Sequence, residues 1–311
     1  MKAFHKLLPA AGVVAAVVTA TAHAAPVVTT MSAGSLTASN LVNSLLSGSS
    51  GVTVVAGSET YTGSLSASGL FTNGGNNPAN SVGIASGVIL TSGDADFVST
   101  ANNNGEFTGN NGTPGNPLLD GLGQGTTHNA SLLSFRFIPS GNFVQFSYVF
   151  GSEEYNNWVN TGFNDIFAFF VNGTNHALIP GTTAPVSIDN VNCGGPTDGA
   201  ANHVNEMNCQ FLRDNPPFSG LIDTQLDGLT TILSFIAPVN PGVENLIQLG
   251  IADVNDPAND SAAFIAAGIF AACGGPNPSS CGGHVPEPGS FALMAIGLAG
   301  LARMRRRDRS V

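Results

Sequence analysis

The stretch from Phe143 to Val171, FVQFSYVFGSEEYNNWVNTGFNDIFAFFV, constrains this chain most, because it joins strand-like alternation to a dense set of acids and amides. Val144, Phe146, Tyr148 and Phe150 share one face of an extended segment and Phe143, Gln145, Ser147 and Val149 the other, the period-2 signal of a half-buried strand. A second strand, residues 166–171, is apolar on both faces. Between them Glu153, Glu154, Asn156, Asn157, Asn160, Asn164 and Asp165 offer oxygen atoms with no Lys or Arg close in sequence. That loop is the leading candidate for a site.

The rest of the chain is punctuated by turns. Thr37 or Ser39 can cap a short helix carrying Leu41, Val42, Leu45 and Leu46, with Gly48 at its end. Short strands are expected at 52–56, 87–92, 133–137, 177–179, 186–191, 231–237, 246–252 and 262–271. Pro139, Ser140, Gly141 and Asn142 are expected to return the 133–137 strand into the central one as a hairpin. Residues 94–129 show almost no apolar periodicity, and a structureless run of that length marks a functional or mobile segment. Nine or ten short strands with a single N-terminal helix imply an all-β, loop-rich sandwich, jelly-roll-like, with one domain over residues 25–285. The 39 Gly and 18 Pro suit that class better than a helical one.

Both ends read as sorting segments. Lys2 and Lys6 precede an apolar run from Leu7 to Val18, and Ala22-His23-Ala24 has the small-x-small form that a signal peptidase cuts, so residues 1–24 read as a signal peptide. At the other end Pro286-Glu287-Pro288 precedes an apolar run from Phe291 to Ala302 and then Arg303, Arg305, Arg306, Arg307 and Arg309. Twelve helical residues cover about 18 Å of a hydrocarbon core about 30 Å thick, which favours transient membrane insertion over a permanent transmembrane helix.

Those segments also hold seven of the nine basic residues. The middle keeps Arg136 and Arg213 against 18 of the 20 acids, a formal charge of about −16, with no lysine. Such a surface repels phosphate backbones and argues against nucleic-acid partners, and divalent cations become its natural counter-charge. In an exported chain the four cysteines favour disulfides, with nearest neighbours pairing most simply: Cys193 with Cys209, Cys273 with Cys281. A zinc site built from all four thiolates is the rival reading, though no C-x2-C spacing supports it.

The C-terminal order of tripeptide, apolar run and arginine cluster resembles the PEP-CTERM sorting signal. The body resembles the choice-of-anchor L domain through GVILTSGDA, the block from Phe143 to Gly173, DGLTTILSFIAPVNPG and IADVNDPANDSAAFI, a likeness spanning most of residues 35–271. The family often has an acid ahead of the strand near Leu132, where this chain has His128-Asn129-Ala130. The resemblance implies a domain at the surface of a Gram-negative bacterium, cleaved at the inner membrane by an exosortase and associated with exopolysaccharide.

For chemistry, Glu153, Glu154 and Asp165 are candidate Ca²⁺ ligands, with Asp253, Asp256 and Asp260 as a second cluster; the alternative is that all are solvated turn residues. Adjacent residues of a strand point to opposite faces, so Glu153 and Glu154 cannot flank one glycosidic bond together. No G-x-S-x-G, H-E-x-x-H or P-loop motif occurs, and no catalytic residues are expected. The remaining alternative is a carbohydrate-active enzyme or a carbohydrate-binding module in which Trp158 stacks on a sugar. Protein recovered from the cell surface should have an intact mass lacking residues before about Ala25 and beyond the Pro286 region; recovery of the full arginine tail would contradict this.

Overall fold

The computed structural model describes residues 25–46, 48, 50–123, 125–194 and 206–274. Both sorting segments and Cys281 lie outside them. In chain order the elements are β1 (Val27–Thr30), α1 (Ala38–Leu45), β2 (Val52–Val54), β3 (Thr60–Thr62), β4 (Ser68–Thr72), β5 (Gly87–Thr91), α2 (Pro117–Gly123), β6 (Thr127–Pro139), β7 (Phe143–Ser152) and β8 (Ile166–Val171). There follow β9 (Thr174–Asn175), β10 (Val186–Ser187), β11 (Leu212–Asp214), β12 (Gly228–Thr230), β13 (Leu233–Pro238), β14 (Asn245–Val254), β15 (Ser261–Ala266) and β16 (Ala271–Cys273).

They form a β-sandwich of two antiparallel sheets. The nine-stranded sheet runs β1-β4-β5-β15-β7-β12-β11, with β13 and β16 also on β7; the seven-stranded sheet runs β10-β8-β14-β6-β2, with β3 on β6 and β9 on β8. Strand β7 is the hub of the larger sheet. One of its edges takes β15 and β16 and the other takes β12 and β13, so both edges are paired along most of its length.

Side-chain alternation sorts the apolar residues into three clusters. The inward faces of both sheets share the main core, where Phe146 stacks on Phe270 at 4.4 Å and meets Phe169 edge-on at 4.9 Å. The outward face of the nine-stranded sheet, with Ile89, Val149, Leu229 and Phe264, is covered by Val82, Ile84, Phe97 and Phe107 from the connecting segments. The outward face of the seven-stranded sheet, with Ile166, Ala168, Phe170, Ala252 and Val254, is covered by Leu119 of α2. This double covering explains why β5, β8 and most of β15 are buried at every position instead of every second one.

Thr37 caps α1 through a reciprocal bond with Asn40, and the helix ends at Leu45, before the expected Gly48. Three other expectations need correction. Strands β6 and β7 are not a hairpin: β6 lies in the seven-stranded sheet and β7 in the nine-stranded one, so residues 139–142 cross between layers. The apolar faces of both strands explain this, because crossing sets Phe135 and Phe137 opposite Phe146 around Phe270, where a hairpin would lay them side by side. Residues 94–129 are structured by isolated anchors without periodicity: a 3₁₀ turn at Ala95–Ser99, the Phe97–Phe107 stack at 5.1 Å, and α2. The expected 262–271 strand is broken at 267–270, and that at 186–191 is reduced to β10.

Cys193 and Cys209 form a disulfide. Cys273 is also disulfide-bonded. Truncating Phe270, fully buried between three phenylalanine rings, should cost about 3 to 5 kcal/mol. At about 2 to 4 °C per kcal/mol for a domain this size, Phe270→Ala should melt at least about 6 °C below the parent, whereas Ile236→Ala, 37% exposed, should melt within about 2 °C of it.

Candidate functional site

The acids singled out in the sequence are sorted by strand parity rather than by proximity along the chain. Glu154, Asp165 and Asp253 face the space between the sheets. Asp165 stands one residue before β8 and Asp253 near the end of β14; because Ala252 pairs with Ile166, the two aspartates are cross-strand neighbours. The Asp165 carboxylate accepts from the Ser261 hydroxyl at 2.7 Å, across the layers, and from the Val254 amide at 3.1 Å. Asp253 accepts from the Asn129 side-chain amide at 3.0 Å and from the Ser92 hydroxyl. Glu154 accepts from the Asp165 amide at 3.4 Å.

Asn129 enters this group because β6 bulges there. The register against β14 slips between Ile251 and Asp253, and Asn129 takes a left-handed backbone, φ 49°, which asparagine tolerates better than most residues. Its side-chain oxygen Oδ1 and the Oδ1 of Asp253 are buried with no hydrogen-bond partner.

Glu153 points the other way, to the outward face of the nine-stranded sheet, with Asp260 and Asp227. The two adjacent glutamates therefore do not share a site. Asp256 lies at the margin of the interlayer group, near enough for its charge to raise Glu154, but its own oxygen is used in a turn. It is half-buried and accepts from the Ala258 amide at 3.0 Å, inside a turn where Asn255 and Asn259 are left-handed. That is ordinary turn chemistry. Trp158 is half-buried, its ring edge-on to Phe163 at 5.5 Å, so it packs the loop that carries it.

Electrostatics set the character of the region. Glu153, Glu154, Asp165, Asp227, Asp253 and Asp260 are each at most 2% exposed. Loss of solvation, reinforced by the Asp227 charge, pushes Glu153 up to about 9. Burial also carries Asp227 and Asp260 up to about 7. Asp165 and Asp253 lie well above the usual carboxylate range, first through burial and then through the charges of Glu154 and Asp165 respectively, and Glu154 is raised by burial and by Asp253. Neither arginine helps. Arg136 pairs with Glu244 at 3.6 Å on the surface, and Arg213 spends its guanidinium on the carbonyls of Pro78, Ser81, Val82 and Thr230.

Among the described residues no three His, Cys, Asp or Glu side chains stand as a ready-made metal set. A cation here would draw on amide and backbone oxygens beside the carboxylates, the mixed oxygen shell that Ca²⁺ accepts. Asp227, Ser92 and Ser261 were not singled out from the sequence, and Asn129 was marked only as standing where the family often has an acid. The signal available was positional: Asp227 opens DGLTTILSF as Asp260 opens DSAAFI, each an acid just ahead of a buried strand.

These shifts fix a sign for the ion-free protein. A carboxyl whose folded value is raised stabilises the fold fully below its unfolded value, about 4, and that contribution is lost as pH rises through the folded value. In chelator the melting temperature should therefore fall between pH 5 and pH 9, through about 7 for Asp227 and Asp260 and about 9 for Glu153. A flat or rising profile would contradict the burial of these acids.

Compared with known families, residues 28–271 match the choice-of-anchor L domain and residues 284–307 match the PEP-CTERM protein-sorting motif. The first is a surface-anchoring type of domain, the second implies processing by an exosortase, and neither match is catalytic. No curated protein matches the chain, and no solved structure does.

Proposed function

The chain belongs to the choice-of-anchor L domain family, and on that footing we propose that it is a non-enzymatic component of the cell surface or exopolysaccharide matrix whose sandwich is held together by calcium. Export and exosortase sorting follow from the C-terminal motif. The finer reading adds removal of residues 1–24 by signal peptidase, brief insertion of the C-terminal segment in the inner membrane of a Gram-negative cell, and residence in a polysaccharide matrix. It is supported by the composition of the two terminal segments.

The calcium part rests on one observation. Glu154, Asp165 and Asp253 meet between the sheets with no Lys or Arg of the described residues directed at them, while an Asp253 oxygen and the Asn129 side-chain oxygen Oδ1 lack partners. A buried, unmatched polar atom costs about 1 to 3 kcal/mol and more when charged, and a doubly charged ion with a six- to eight-oxygen shell offsets several at once. The non-enzymatic part is supported by access: acids at most 1% exposed, as Glu153, Glu154 and Asp165 are, have no route to a polymeric substrate.

Ligand that binds only the folded chain stabilises it by about 2.7 kcal/mol at a hundred times Kd, or about 5 to 10 °C in a domain this size. Millimolar Ca²⁺ at constant ionic strength should raise the melting temperature by that amount over chelator. Asp253→Asn should lose at least half of the rise, and Asp256→Asn should keep it. No rise in the parent protein would refute the calcium reading.

A further inference from the structure

Phe218 stands apart in both backbone and exposure. Among the described residues eight that are not glycine have a positive φ; seven are asparagines, which tolerate it, and the eighth is Phe218 at 62°. Its side chain is 80% exposed, more than any other large apolar one described, and Leu221 nearby is 53% exposed. The turn is closed by the Ser219 amide on the Pro216 carbonyl at 3.0 Å, which puts Pro217 second and Phe218 third, the position that glycine or asparagine takes when φ is positive there. A left-handed phenylalanine held in water costs stability twice, and such strain persists only where the surrounding structure enforces it. Here both flanks are pinned. The Phe218 amide donates to the Asn102 carbonyl at 2.8 Å. The Ile222 amide donates to Oδ1 of the fully buried Asn215 at 2.9 Å, and Nδ2 of Asn215 donates to the Leu226 carbonyl at 2.8 Å. Phe218 is therefore a fixed knob.

The same chain carries a hole of matching size. On the outward face of the nine-stranded sheet a groove of about 160 Å³ lies beside Ser147, with Ile84, Ile232, Ala266 and Ile269 as its apolar walls. An apolar cavity of about 150 Å³ takes one benzene ring, so this groove admits the ring of one phenylalanine. Phe218 of the same chain is not among its walls. No lining residue is charged, and the adjoining residues 78–82 are held by the cationic guanidinium of Arg213 through the carbonyls of Pro78, Ser81 and Val82. The knob, by contrast, is flanked in sequence by Asp214 and Asp223. Two copies of so acidic a chain repel wherever acids meet, and charge complementarity directs the knob of one copy to the groove of another. One aromatic side chain covers about 150 to 250 Å², below the roughly 1,200 Å² of a stable interface. The contact is accordingly weak between free chains and gains where copies are held close together.

We propose that Phe218 of one copy docks in the groove between Ile84, Ile232 and Ile269 of a second copy, so that the domain assembles with itself. The contact is heterologous, knob to hole, and further copies can add at either end. It uses none of the residues of the calcium reading.

The test is sedimentation velocity of protein purified from the cell surface, over a concentration series. The parent should associate reversibly, and more strongly at high salt, which screens the repulsion between acids. Phe218→Gly should weaken association at least about tenfold, as loss of an aromatic anchor does. It should melt no lower than the parent, because glycine takes a positive φ without strain. Ala267→Trp, which fills the groove, should weaken association as much. Mixed together, the two variants should associate again, since each supplies the half that the other lacks. Should Ala267→Trp fail to fold, Ile269→Asp, which places a charge in the groove, takes its part. A parent that stays monomeric, association that survives Phe218→Gly, or a mixture that stays monomeric overturns the proposal. A monomeric parent retarded in gels containing dextran, with Phe218→Gly not retarded, gives the ring a sugar as its occupant and overturns it as well.

Discussion

Taking a carboxylate out of water costs several kcal/mol unless something of opposite charge meets it, and this fold does so six times at one end of its sandwich. Net stabilities of domains are about 5 to 15 kcal/mol, so six ionised, unmatched acids would exceed what holds the chain folded. The burial is a by-product of architecture. Strands such as β8 and β15, apolar at every position, require cover on both faces, and the segments that supply it also close over the strand ends where the acids sit. Between about pH 5 and 9 the protein must either hold protons on these groups or exchange them for a cation, and its two central arginines are committed elsewhere.

Strand β7 connects that constraint to the rest of the molecule. It carries the inward aromatic row of the main core, pairs with four other strands, and ends in Ser152-Glu153-Glu154, whose alternation delivers one acid to each side of the sheet. The same two-residue period that builds the core thus divides the acids into two groups. Were the proposed ion held as Ca²⁺ is in extracellular modules, at about 0.1 to 1 mM, the fold would be tightest only where free Ca²⁺ reaches that level.

Much of the architecture was legible in the sequence because alternation is a local signal. The inward set Val144, Phe146, Tyr148 and Phe150, the doubly apolar residues 166–171, the Thr37-capped helix and the Cys193–Cys209 bridge can all be read from neighbours in the chain. What was not legible depends on contacts far apart in sequence. The layer crossing at 139–142 is decided by Phe270, and the order of residues 94–129 by single anchors such as Phe97 and Leu119 that carry no period. The acids show the same limit. Their residue types marked the region, but the grouping of Glu154 with Asp253, and of Glu153 with Asp227, is set by sheet order, and Asn129 enters only through a bulge.

The account turns on whether a cation completes the oxygen shell that the buried acids leave open. The most direct measurement is anomalous diffraction from crystals grown in millimolar Ca²⁺, collected at a wavelength where calcium scatters anomalously. The account predicts a peak among Glu154, Asp165 and Asp253, with oxygen ligands at about 2.3 to 2.6 Å that include the Asn129 side-chain oxygen Oδ1. A map without a peak there, with each carboxyl paired instead to another carboxyl or to water, would contradict it.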